Sequence, residues 1–168
     1  MRFARFHAFT LLLAFMAIIS GCSDNPAGGD TTGDPAPEGD YLQATFSGHT
    51  WTYTDVSAFR TPMFGAISIV AMRDSGTDME AVTFSMTGIN SAGTYRINPE
   101  NCKAQISTGG TSYATGLDLT LDYGTLTITK LADQRIVGTF VLTLYPGADV
   151  KETPLKVTKG RFDMRLPD

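Results

Sequence analysis

Cysteine, histidine and long apolar runs are all scarce in this chain, and each scarcity excludes something. Cys22 and Cys102 are the only cysteines, and His7 and His49 the only histidines, in 168 residues. Zinc normally takes three or four His, Cys or acidic ligands. One histidine and one cysteine far apart in the main body of the chain do not make such a centre, and no motif implies a cofactor. A Ser-His-acid triad would have to use His49. That residue sits in Gly48-His49-Thr50, a turn-like setting, and no Gly-x-Ser-x-Gly elbow accompanies it. Basic residues are also few: 13 Lys and Arg face 17 Asp and Glu, for a net charge of −4. That balance argues against nucleic acid or anionic lipid as the main partner.

The one sustained apolar run, Ala8–Ile19, is about 12 residues long. A membrane-crossing helix needs roughly 20. Arg2 and Arg5 precede the run, and small residues close it at Ser20-Gly21-Cys22, the layout of a secretory signal peptide over residues 1–21. Ile19-Ser20-Gly21-Cys22 further resembles the lipobox of bacterial lipoproteins. The resemblance implies a lipid-modified Cys22, cleavage before it, and a membrane partner held through that anchor. Acyl chains contribute about 0.8 kcal/mol per buried methylene, and more than one makes the anchoring stable. Ser23, rather than Asp, follows the cysteine. In Gram-negative lipoproteins this points to the outer membrane, with surface exposure open.

Without residues 1–21, which carry two arginines and no acid, the net charge moves from −4 to −6. Much of it lies in Ser23–Asp40, which reads SDNPAGGDTTGDPAPEGD and has almost nothing apolar to bury. Such composition predicts a disordered acidic tether over residues 22–40. Eighteen flexible residues reach roughly 25 Å. The folded part is then residues 41–168, one domain by length. With Cys22 acylated, Cys102 has no disulfide partner, and it reads as a small, inert strand residue.

Within 41–168 the apolar residues recur with a period of two. Val82, Phe84 and Met86 alternate with Thr83 and Ser85. Leu117, Leu119, Leu121 and Tyr123 alternate with Asp118, Thr120 and Asp122. Leu126 and Ile128, then Phe140, Leu142 and Leu144, and finally Phe162, Met164 and Leu166 repeat the pattern. Each such segment has one apolar and one wet face, as in antiparallel sheets covered on one side. Turn residues divide the runs at Ser47-Gly48, Asp74-Ser75-Gly76, Asn98-Pro99, Gly109-Gly110, Asp133-Gln134 and Pro146-Gly147. The prediction is an all-β domain, an antiparallel β-sandwich or closed barrel of about nine strands.

Several segments appear in a familiar order. Ala44-Thr45-Phe46-Ser47-Gly48-His49-Thr50-Trp51 opens the domain. Gly93-Thr94-Tyr95-Arg96-Ile97 follows the middle strands. Gly124-Thr125-Leu126-Thr127-Ile128-Thr129 leads into Ile136-Val137-Gly138-Thr139-Phe140, and Val157–Phe162 closes the set. This order resembles a group of small Gram-negative lipoprotein domains of unknown function. The resemblance supports fold and location and carries no site residues.

Three local patterns suggest chemistry. Asp74-Ser75-Gly76-Thr77 resembles the Asp-Ser/Thr-Gly-Ser/Thr signature of aspartic proteases, with Ile136-Val137-Gly138 as a supporting element. Against this, Arg73 stands where that family has an apolar residue, Gly138 leads into another alternating strand, and Asp-Ser-Gly is ordinary hairpin chemistry. Asp74, Asp78 and Glu80 could offer oxygens to calcium, but their spacing is not that of an EF-hand, and a solvated hairpin loop accounts for them. Trp51 and Tyr53 share one strand face. Exposed, they could stack on a sugar ring, whereas buried they would be core aromatics.

These readings predict no catalytic residues and no metal. The expected function is a non-catalytic envelope module that binds protein or glycan, with Trp51 and Tyr53 as candidate ligand-binding residues. The alternative is a lipocalin-like carrier with an apolar cavity among Phe84, Leu119, Ile128 and Phe140. A hydrolase is a remote third, for want of a convergent set of ionisable groups.

Overall fold

The computed structural model describes residues 36–61, 65–74, 76 and 79–167. The expected signal peptide, Cys22 and most of the expected tether lie outside them, as do Ser75, Thr77 and Asp78. Among the described residues there is no helix, and eleven strands form. They are β1 Tyr41–Phe46, β2 His49–Tyr53, β3 Asp55–Thr61, β4 Ala66–Asp74, β5 Met79–Met86, β6 Gly93–Arg96, β7 Cys102–Thr108, β8 Thr111–Ala114, β9 Gly124–Ala132, β10 Arg135–Pro146 and β11 Leu155–Arg165.

Every strand pairing is antiparallel. The sheet runs β2-β1-β11-β10-β8-β7-β5-β4-β3, with β9 on β10 and β6 on β9. Its two end strands, β2 and β3, are consecutive in the chain and separated only by Thr54. The sheet therefore curls on itself, and β3 comes to lie near β1 and β11. The result is an all-β barrel, nearly closed, as the period-two pattern predicted. β10 makes the curl possible. One edge pairs with β11, while the other pairs first with β9 and then, at Tyr145 and Pro146, with β8. Bulges between Phe140 and Leu142 and between Val137 and Gly138 bend it along the way.

Turn chemistry sets the register of three hairpins. Ser47-Gly48, Gly109-Gly110 and Asp133-Gln134 each place two consecutive residues at positive φ. That is the type I′ geometry whose twist matches the flanking strands. Asn98 closes the β6–β7 connection, its Oδ1 accepting from the amides of Glu100 and Asn101.

The centre of the barrel is filled by aromatic rings. Phe84 meets Phe140 edge-on with centroids 4.9 Å apart, and Phe140 stacks on Phe162 at 6.3 Å. Space for those rings comes from two glycines within strands. A Cβ on Gly160 would lie 2.2 Å from Phe140, and one on Gly138 would lie 2.7 Å from Phe162. Leu42, Ile67, Ile69, Val82, Met86, Ile106, Leu126 and Ile128 complete the packing.

One predicted strand does not form. Residues Leu117–Tyr123 make a loop between β8 and β9. Leu117 is 84% exposed and Leu119 53%, while Tyr123 is buried. The alternating aspartates explain the difference. Asp118 accepts a hydrogen bond from the amide of Thr120, and Asp122 from that of Gly124. Each aspartate thus closes a turn on itself instead of leaving the backbone to a ladder. Eleven strands form where about nine were expected, two of them, β6 and β8, only four residues long.

Candidate functional site

Where β4 ends, β5 begins and β7 ends, the inward row of the barrel changes from apolar to polar. Arg73 and Glu80 face each other directly across the β4–β5 ladder. Arg73 Nη2 donates to Glu80 Oε2 at 2.7 Å, and Thr108 Oγ1 donates to Glu80 Oε1 at 3.1 Å. The Glu80 side chain is 9% exposed and that of Arg73 32%. A buried carboxylate is tolerated when paired and hydrogen-bonded, and Glu80 is both.

Trp51 and Tyr53 reach the same cluster from β2. The Arg73 guanidinium lies 4.2 Å over the indole ring, a cation–π contact. Phe46 and His49 flank that ring, each with its centroid 5.9 Å away. Tyr53 is fully buried. Burial foremost, and Glu80 next, push its hydroxyl pKa up to about 12, with Arg73 opposing the rise. The phenol is therefore a neutral O–H across the physiological range. Trp51 Nε1, Tyr53 OH and Arg73 Nε are all buried without a hydrogen-bond partner among the described residues. These three hydrogens are the chemically unusual feature of the cluster, since buried polar groups are nearly always paired.

The sequence placed Trp51 and Tyr53 on one strand face, and they are. It did not bring Arg73, Glu80 and Thr108 to them. A charge in phase with apolar residues at a spacing of two, as Glu80 is with Val82 and Phe84, is the signal that a charge faces inward.

His49, which flanks the Trp51 ring, is itself exposed at the start of β2. Asp74 is exposed and accepts from the Gly76 amide at 2.7 Å, a turn closed by its own side chain. Glu80, the third oxygen donor considered for calcium, is engaged by Arg73, and Asp78 lies outside the described residues. Gly138 is in mid-strand beneath Phe162. A depression of about 160 Å³ beside Ser85, Thr87, Pro99 and Lys103 is smaller than usual small-molecule sites.

Cys102 is buried at the start of β7, and burial raises its thiol from 9.0 to about 12. A raised pKa means that the folded chain holds its proton while the unfolded chain releases it. The associated stability is complete below pH 9 and is lost as pH rises from 9 towards 12. Stability should fall with a slope of up to about 1.4 kcal/mol per pH unit from this group. Urea titrations between pH 9 and 10 check this, with Cys102→Ala expected to show a shallower fall. Equal slopes would show that the thiol does not titrate abnormally.

The chain belongs to a family whose model matches residues 39–164 and is described as a domain of unknown function, DUF6252. The match spans the barrel from just before β1 to near the end of β11. Comparison with curated proteins and with solved structures gives no significant match.

Proposed function

We propose that this chain is a lipid-anchored envelope protein whose β-barrel is a non-catalytic module binding protein or glycan at the cell envelope, by way of its outer surface and rim. The observation that carries this reading is the filled barrel centre. Phe84 and Phe140, two of the residues that would have lined a carrier's cavity, are in edge contact, and Leu119, a third, is exposed. A partner is therefore met outside the apolar core. The address comes from Ile19-Ser20-Gly21-Cys22 and favours the outer membrane; the acidic tether would hold the domain clear of the headgroups.

Cys22→Ala tests the anchor. The variant should carry no lipid on mass analysis and should be released from membranes by an alkaline carbonate wash that strips non-anchored proteins; a variant that stays in washed membranes and bears acyl chains would sink the assignment. The same soluble variant tests binding. It should co-sediment with isolated envelope fragments, and either protease or glycosidase treatment of those fragments should abolish this. Retention in the supernatant throughout would count against an envelope-binding module.

A further inference from the structure

Of the three unmatched hydrogens, one is on Arg73 of the ion pair and two are on its neighbours Trp51 and Tyr53, and together they define what could complete them. Phenylalanine at position 53 would fill the core as tyrosine does without stranding a hydroxyl, so packing alone does not account for Tyr53. Arg73 and Glu80 cancel each other's charge. What remains is neutral: Trp51 Nε1–H, Tyr53 O–H and Arg73 Nε–H offered, and Glu80 with lone pairs left over. Glu80 accepts only from Arg73 and Thr108 among the described residues, whereas a carboxylate can accept about four bonds.

A free carboxylate arriving here would face Glu80 and could only accept. An amine would meet three donors. A hydroxyl both accepts and donates, and several adjacent hydroxyls match the set. We propose that Trp51, Tyr53, Arg73 and Glu80 form a subsite for a neutral saccharide, whose hydroxyl oxygens accept from the three donors while one hydroxyl donates to Glu80. The mode is recognition at the indole edge, since the Arg73 guanidinium already covers a ring face at 4.2 Å. The three donor atoms are occluded in the free chain, so the saccharide reaches them by displacing Arg73, the more exposed member of the pair. This inference rests on the glycan branch of the proposed function and gives it a location.

Trp51 is the only tryptophan in the chain, so its fluorescence and its indole N–H resonance report on this cluster alone. The purified chain is titrated with maltose, cellobiose and chitobiose, and with sodium acetate as the anionic control. At least one disaccharide should shift both signals saturably, and acetate should shift neither. Tyr53→Phe and Arg73→Lys each remove one donor, the latter while keeping the positive charge. Each should weaken the disaccharide by about 5–10-fold. Tyr53→Phe should also raise the ligand-free Tm by about 3 °C, because a stranded hydroxyl is gone. The proposal is overturned if no disaccharide perturbs Trp51, if acetate alone does, or if Tyr53→Phe lowers the ligand-free Tm, which would mean the hydroxyl is already satisfied. Envelope co-sedimentation separates the two levels. If it persists in Tyr53→Phe and Arg73→Lys while the disaccharides fail, the binding module stands and this subsite falls.

Discussion

Gly160→Ala should destabilise the barrel by about 3 kcal/mol, the upper end of what overpacking a core costs. The backbone of Gly160 is not the reason, since its φ is not in the left-handed region. The reason is room. The added methyl would sit 2.2–2.4 Å from three carbons of the Phe140 ring. That ring cannot swing aside, because Phe84 meets it at 4.9 Å on one side and Phe162 stacks at 6.3 Å on another. Gly160 is also directly paired with both Phe140 on β10 and Ala44 on β1, so a backbone shift would disturb two ladders. Chemical denaturation measures the loss. A second variant identifies its cause: Gly160→Ala combined with Phe140→Leu should be more stable than expected from the sum of the two single changes, because the smaller side chain vacates the space the methyl needs. Strict additivity would mean that Phe140 does not press on residue 160.

The same contact shows what could be read in the sequence and what could not. The alternation of Phe140, Leu142 and Leu144, and of Phe162, Met164 and Leu166, places those side chains on one face, because strand geometry has a fixed period of two. Type I′ turns at Ser47-Gly48 and Gly109-Gly110 follow equally directly from residue type. Which glycine lies under which ring does not follow, since Gly160 and Phe140 meet through a long-range pairing that local pattern leaves open. Leu117–Tyr123 shows the opposite failure. Its alternation is as regular as that of β10, yet the polar residues are aspartates that hydrogen-bond their own backbone, so two readings of one pattern compete and the local one prevails. At the candidate site, Trp51 and Tyr53 were legible as a pair because they share a strand. Glu80 reads in the sequence as part of a solvated hairpin loop, and only the β4–β5 register makes it and Arg73 an inward-facing ion pair.

Arg73→Met should cost about 2–3 kcal/mol, and the size of that loss depends on what is left behind rather than on the contact removed. Removing one member of a buried ion pair typically costs 3–5 kcal/mol, because the survivor is a charge without a partner. Here Glu80 would survive, its side chain 9% exposed and held only by Thr108. Arg73 itself is 32% exposed, so solvent screens part of the pairing and the lower figure applies. Methionine keeps an unbranched apolar stem against Trp51, which limits the packing loss. Glu80→Gln on its own keeps one side-chain oxygen to accept from Arg73, while its NH2 can donate to the Thr108 hydroxyl, and should cost less. The double change Arg73→Met with Glu80→Gln should recover most of the stability, since no charge is then left buried. The double-mutant cycle gives a coupling of more than about 1 kcal/mol if the pair works as described. A coupling near zero would make it an ordinary surface pair. In that case the neutrality of the cluster, on which the choice of a saccharide over an anion depends, would have no structural basis.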